Sequence, residues 1–193
     1  MNFELSEEQK MIQQSVERFV QENYDLPKRV EISSKDPGYS KEYWGSMAEL
    51  GWLGLPFEEK DGGFGGNQID TLVIMEQFGK GLVLEPFIAN VVLGGGAIQI
   101  GGSEELKKEM LPGLIEGSKQ MTLAYGEQQS RFDLEDVATS ARQEGDKFII
   151  NGQKSMVLNA ESADHIVVVT RTTGGQVDEE GITLFLVDSN AKG

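Results

Sequence analysis

The residues with the most chemistry to offer lie together at Glu127-Gln128-Gln129-Ser130-Arg131. A carboxylate, two amides, a hydroxyl and a guanidinium can hold a small polar ligand, and the guanidinium suits a phosphate. They follow Met121-Thr-Leu-Ala-Tyr125, whose alternation predicts a strand with Met121, Leu123 and Tyr125 on one face. The sequence before this point reads as helix, and nearly all of it afterwards reads as strand. A polar turn at such a seam is a favoured place for a small-molecule site. Arg131, Arg142 and Lys154 add basic groups close to it.

Other chemistries find less support. His165 is the sole histidine and there is no cysteine, so a serine–histidine triad or a multi-histidine metal centre has at most one candidate. Disulfides, thiol nucleophiles and cysteine-bound metals are excluded. Neither a catalytic residue nor a metal ligand is assigned. Gly62-Gly-Phe-Gly-Gly66 precedes a helix, but Gln68 stands where a dinucleotide fingerprint needs its third glycine, and no strand comes first. A structural turn accounts for it better. The acidic pairs Glu58-Glu59, Glu104-Glu105 and Glu179-Glu180 fall at helix ends or in loops, where solvated charge explains them.

The elements that must position the turn can be read in order. Ser6-Glu-Glu-Gln9 is a capping box that starts an amphipathic helix over 6–23, with Ile12, Val16, Phe19 and Val20 at helical spacing. Ser40 caps a second helix with Trp44, Met47 and Leu50 on one face and Gly51 as its stop. Glycine-rich turns follow to Gly66. Further helices are predicted over about 69–78, over 86–100 (weakened by Gly94-Gly95-Gly96), and from Ser103 to Leu111-Pro112-Gly113 or a turn beyond. After Gln120 the period becomes two. Segments 137–143, 148–150 and 154–158 read as an antiparallel meander turning at Glu144-Gly145-Asp146 and Asn151-Gly152, with apolar strands at 166–170 and 182–187. Helices first and sheet second make an α+β pattern.

The chain has 193 residues, is 38% hydrophobic and has a formal net charge of −15. That is enough apolar content for a core, and the charge repels nucleic acid and anionic membranes at long range. The first residues lack the basic and apolar regions of a signal peptide, and Leu82–Ile100 is too interrupted to read as a membrane helix. A cytoplasmic protein with no nucleic-acid or membrane partner is expected.

Three blocks carry a family likeness. Leu50-Gly-Trp-Leu-Gly-Leu-Pro-Phe-Glu-Glu-Lys-Asp-Gly-Gly-Phe-Gly-Gly66 resembles a glycine-rich segment of the acyl-CoA dehydrogenases. Gly102-Ser-Glu-Glu-Leu-Lys-Lys-Glu-Met-Leu-Pro-Gly-Leu-Ile-Glu-Gly117 looks like the helix that closes their N-terminal bundle, and Gly145-Asp-Lys-Phe-Ile-Ile-Asn-Gly-Gln-Lys154 is similar to a hairpin of their β-domain. Gln129–Thr139 and Gly79–Pro86 look like the branch that contains the small subunit of pimeloyl-CoA dehydrogenase.

The resemblance implies an N-terminal helical domain over 1–118 and an incomplete antiparallel, barrel-like β-domain over 119–193, with the family's second helical bundle and its catalytic glutamate beyond Gly193. It implies FAD as cofactor, an acyl-CoA substrate, oxidation to trans-2-enoyl-CoA, an electron-transfer flavoprotein as acceptor, and a homo- or hetero-oligomer. By position, Tyr125, Gly126, Glu127, Met156 and Leu158 would border the flavin, while Ser130, Arg131 and Phe132 would border the substrate. Gly126, Phe132 and Leu158 stand where relatives offer a hydroxyl, and Met156 where they have tryptophan. If 154–158 is a strand, Met156 and Leu158 share a face with Lys154. With the base expected beyond Gly193, the chain is expected to be inactive alone. The alternatives are a non-catalytic partner in an unlike-subunit enzyme, or an acyl-CoA-binding module without redox activity.

Overall fold

The computed structural model describes residues 4–192. Helix α1, Glu7–Asn23, starts at the expected capping box: the Gln9 N–H donates to Ser6 Oγ at 3.1 Å, and the Ser6 N–H to Gln9 Oε1 at 2.9 Å. Helix α2, Leu26–Ser33, was not expected. Asp25 caps it by accepting from the Lys28 N–H at 2.7 Å, and Pro27 sits in its first turn, where no N–H is needed. Ser40 caps α3, Lys41–Glu49, as predicted; Trp44 and Met47 are buried, but Leu50 is left half exposed.

The glycine-rich block doubles back on itself. The Phe64, Gly65 and Gly66 N–H groups donate to the carbonyls of Gly54, Phe57 and Leu55. A Cβ on Gly63 would collide with the Phe57 carbonyl, and one on Gly66 with that of Leu55. Close backbone packing therefore explains these glycines, and the segment is a structural turn.

Helix α4 covers Gln68–Gly81. A π-helical stretch, Ile88–Gly95, runs directly into α5, Gly96–Gly101, and α6 spans Glu104–Ile115 with Pro112 inside it. The glycines at 94 and 95 permit contact: a Cβ on Gly94 would meet Met121, and one on Gly95 would meet Phe57. The core runs through edge-on ring contacts from Phe19 to Trp52 (5.3 Å), Phe78 (6.0 Å) and Phe87 (5.5 Å). It continues through Leu111 and Leu114 to Met121 and Val167, so helices and sheet share one core.

The sheet is mixed, and here the meander expectation fails. Strands β1 Met121–Ala124 and β4 His165–Arg171 pair in parallel; β2 Ser140–Glu144 and β3 Lys147–Asn151 form the predicted hairpin. Strand β5, Ile182–Asp188, runs antiparallel to β4, and β2 touches β4 only at Ser140 and Arg171. The order is β1-β4-β2-β3 with β5 branching from β4. Strand β1 is covered on both sides: Met121, Thr122 and Ala124 are all buried, so the predicted one-sided alternation gives way to the pattern of a parallel strand.

Residues 154–158 are not a strand. They form an irregular turn in which Met156 has φ 55°, and Asn159 just beyond it has φ 56°. Met156 and Leu158 therefore do not share a sheet face with Lys154. Residues 137–139 likewise lie outside β2. Among the described residues no helix is long and apolar enough to cross a membrane.

Candidate active site

The polar turn after β1 is built around a buried ion pair. Glu127 Oε1 lies 2.7 Å from Lys154 Nζ, with side-chain exposures of 2% and 8%. Three more donors reach the carboxylate: Gln129 Nε2 at 2.7 Å and the Ala138 N–H at 2.9 Å on Oε2, and the Thr139 N–H at 3.0 Å on Oε1. Burial alone would push this carboxyl up, but Lys154, Gln129 and the Thr139 amide outweigh it and hold it at about 2. Glu127 is therefore a fixed anion with every lone pair engaged. It organises the loop and has no capacity left to take a proton from a ligand.

Two segments are tied together by this pair. Lys154 Nζ also reaches the Tyr125 carbonyl at 3.3 Å, the Ser155 N–H donates to the Gly126 carbonyl at 2.9 Å, and Thr122 Oγ1 donates to the Leu158 carbonyl at 2.6 Å. Residues 122–127 and 154–158 thus lie side by side on a rigid backbone. This brings together all five residues placed at the cofactor by the sequence reading. Tyr125, Met156 and Leu158 present apolar side chains to solvent, Met156 being 92% exposed.

The expected substrate-side residues continue the same loop. Ser130 is buried, its hydroxyl bonding the Glu127 N–H and carbonyl, each at 3.1 Å. It fastens the turn and is not free to meet a ligand. Arg131 has φ 50° and no ion pair among the described residues, since Lys154 already occupies Glu127. Phe132 is fully exposed. An unpaired guanidinium beside an exposed ring makes an anion-and-stacking tip on an otherwise acidic protein.

Two organising residues had no signal in the sequence reading. Asn90, fully buried in the π-helical stretch, accepts the Met121 N–H through Oδ1 at 2.6 Å and so fixes where β1 begins. Arg171 donates to four carbonyls, those of Asp178, Glu180, Glu135 and Gln176, at 2.6–2.9 Å. It thereby stitches the 172–181 loop to the segment that ends the polar turn. Among the described residues no cluster of three metal-binding side chains exists.

Beside the loop, Leu158 and Asn159 form one wall of an open cleft of about 530 Å³. Met75 and Phe78 from α4, residues 82–89 after it and residues 37–39 form the other walls. Glu85, 6% exposed, lines it, with its carboxyl accepting the Ser40 N–H at 3.1 Å and paired with the Tyr24 hydroxyl. Burial pushes this carboxyl up to about 7.

The sequence profile of the acyl-CoA dehydrogenase N-terminal domain matches residues 6–118, and that of the middle domain matches residues 122–193. The chain belongs to the acyl-CoA dehydrogenase family. A probable acyl-CoA dehydrogenase of Bacillus subtilis, YngJ, is 32% identical over 189 residues, covering 97% of this chain and 49% of its own. The FAD complex of PigA superposes with a TM-score of 0.86 at 27% identity, covering 97% of this chain and 49% of that one. A structure of the electron-transferring flavoprotein of Acidaminococcus fermentans matches with a TM-score of 0.83 at 27% identity, over 97% and 49% of the two chains. The chain spans about half the length of each of these relatives and structural neighbours. The family profiles meet in the 119–121 segment, just where Asn90 seizes the first strand.

Proposed function

We propose that this chain is the flavin- and substrate-binding portion of an FAD-dependent acyl-CoA dehydrogenase, with residues 1–118 as the helical domain and 119–193 as part of the middle domain. The observation that carries this is the pairing of segments 122–127 and 154–158 around Glu127 and Lys154. It leaves Tyr125, Met156 and Leu158 as an apolar platform at the edge of a cleft of acyl-chain size.

FAD supplies the hydride acceptor when bound. The chain's own groups bind and orient. Tyr125, Met156 and Leu158 give the ring system an apolar surface, and the Gly126 backbone offers hydrogen bonds that need no side chain. Arg131 and Phe132 take the phosphate-bearing and adenine ends of coenzyme A, and the cleft takes the acyl chain. Glu127 cannot serve as the base, because its carboxylate is saturated and held ionised. The α-proton acceptor is therefore assigned outside these residues, and the isolated chain binds without turning over. An electron-transfer flavoprotein as acceptor fits the likeness to the structure of the electron-transferring flavoprotein of Acidaminococcus fermentans. The assembly is an oligomer acting in the cytoplasm.

A second reading has its own observation. Gly126, Phe132 and Leu158 provide no side-chain hydroxyl toward the platform, which suits a chain that lends its acyl cleft to a partner holding the flavin. Purification with any partner subunit decides between the two. Flavin retained in one-to-one ratio with this chain, and bleached anaerobically by an acyl-CoA, is expected from the first. Flavin bound only to the partner supports the second. A complex that retains no flavin after reconstitution, and bleaches with no acyl-CoA, sinks both.

A further inference from the structure

The cleft between α4 and Leu158 is lined mainly by apolar residues, with Tyr39 and Asn159 as neutral polar groups and Glu85 as the one ionisable carboxyl, and among the described residues no lysine, arginine or histidine lines it. Glu85 has no ion pair among the described residues; its carboxyl rests on neutral partners, chiefly the Ser40 N–H and the Tyr24 hydroxyl, with the Leu84 and Glu85 backbone amides beside them. Burying a carboxyl without a cation is unfavourable, and neither partner requires an acid: a glutamine could accept the Ser40 N–H through its oxygen and donate to the Tyr24 hydroxyl through its amide nitrogen. An acid kept under those terms in a binding cleft points to recognition of a ligand more than to support of the fold.

We propose that Glu85 is a specificity-determining residue of the cleft, selecting acyl-CoA chains whose tail ends in a hydrogen-bond donor over chains whose tail ends in a carboxylate. This rests on the reading of the cleft as the acyl site. The carboxyl lines the cleft, and where it faces the cleft it can accept from a hydroxyl or amine at the end of the chain. A tail carboxylate would meet a second acid with no cation in the lining to relieve it, which is discrimination by repulsion. An unsubstituted tail gains only the apolar walls of Met75, Phe78 and Leu84.

The test is calorimetric titration of the full-length protein, with any partner and cofactor in place, using trans-2-enoyl-CoA thioesters of one chain length ending in methyl, hydroxyl or carboxylate. The wild-type protein should bind the hydroxyl form at least about tenfold more tightly than the carboxylate form. Glu85→Gln removes the charge while its oxygen accepts the Ser40 N–H and its amide nitrogen donates to the Tyr24 hydroxyl, and it should bring the two within about threefold. Equal binding of the two tails by the wild-type protein overturns the proposal without any variant, and so does an unchanged ratio in Glu85→Gln. If no thioester binds, whatever its tail, the acyl-CoA reading of the cleft falls and takes this inference with it. Binding of every thioester with no tail preference rejects the role of Glu85 alone.

Discussion

Lys154 Nζ sits 2.7 Å from Glu127 Oε1, and both side chains are almost wholly removed from solvent although 27 residues separate them in the chain. Each ion neutralises the other, and the remaining lone pairs of the carboxylate are spent on Gln129, Ala138 and Thr139. Removing one partner strands the other. Lys154→Met should destabilise the protein by about 3–5 kcal/mol. Glu127→Gln combined with Lys154→Met should cost less than the sum of the two single changes. Urea unfolding of all three variants closes the cycle, and additive costs would show that the pair is not coupled.

Stability should depend on pH through two carboxyls of opposite sign. Both titrate near 4.5 when unfolded; in the folded protein Glu127 is held at about 2 and Glu85 is raised to about 7. The stabilisation from Glu127 is complete above its unfolded value and disappears as pH falls toward 2. Glu85 does the reverse: it favours the fold while protonated, and that contribution is lost as pH rises from 4.5 through 7. Each is worth about 3 kcal/mol by linkage. Urea midpoints should therefore peak near about pH 5 and decline toward about pH 8. The alkaline decline should shrink in Glu85→Gln, and an unchanged slope would remove Glu85 as its source.

Met156 separates site from fold. At 92% exposure it contributes little to stability, so Met156→Ala should unfold within about 0.5 kcal/mol of the wild type. If the platform holds the flavin, the same change should lower flavin retention after gel filtration. Retention equal to wild type would place the ring system elsewhere.

Arg171 predicts a local effect. Arg171→Met deletes a cation that four carbonyls share, at a cost of about 2–3 kcal/mol. Limited proteolysis should then cut within 172–181 before any helix is attacked. Uniform cleavage along the chain would argue that the loop is held by other means.

The helical region was legible because its signals are local. Ser6, Ser40 and Ser103 each cap a helix where the sequence places one. Helix α2 carried signals of the same kind in Asp25 and Pro27, but its eight residues show too little periodicity to stand out. The sheet was less legible because its partners are distant. β1 pairs with a strand beginning at His165, and no local pattern distinguishes that parallel neighbour from a hairpin. Lys-Ser-Met-Val-Leu at 154–158 alternates like a strand. There the ammonium is drawn to Glu127 and the Ser155 N–H to Gly126, and the segment coils around them. The seam itself was visible as a polar cluster. The use of Glu127 as its anchor was not, because three of the donors to its carboxylate come from residues 138, 139 and 154.

The parallel pairing of β1 with β4 also sets the order in which the molecule can assemble. Gln120 and Asp164 bond across 44 residues, so closing this pair is a slow, entropically costly search compared with winding α1 or turning the β2–β3 hairpin. The stretch that must be looped out during that search carries Glu127, Arg131, Lys154 and Met156. The proposed binding loop is thus enclosed by the same long closure as the central strand pair, and bringing its two segments together depends on that closure.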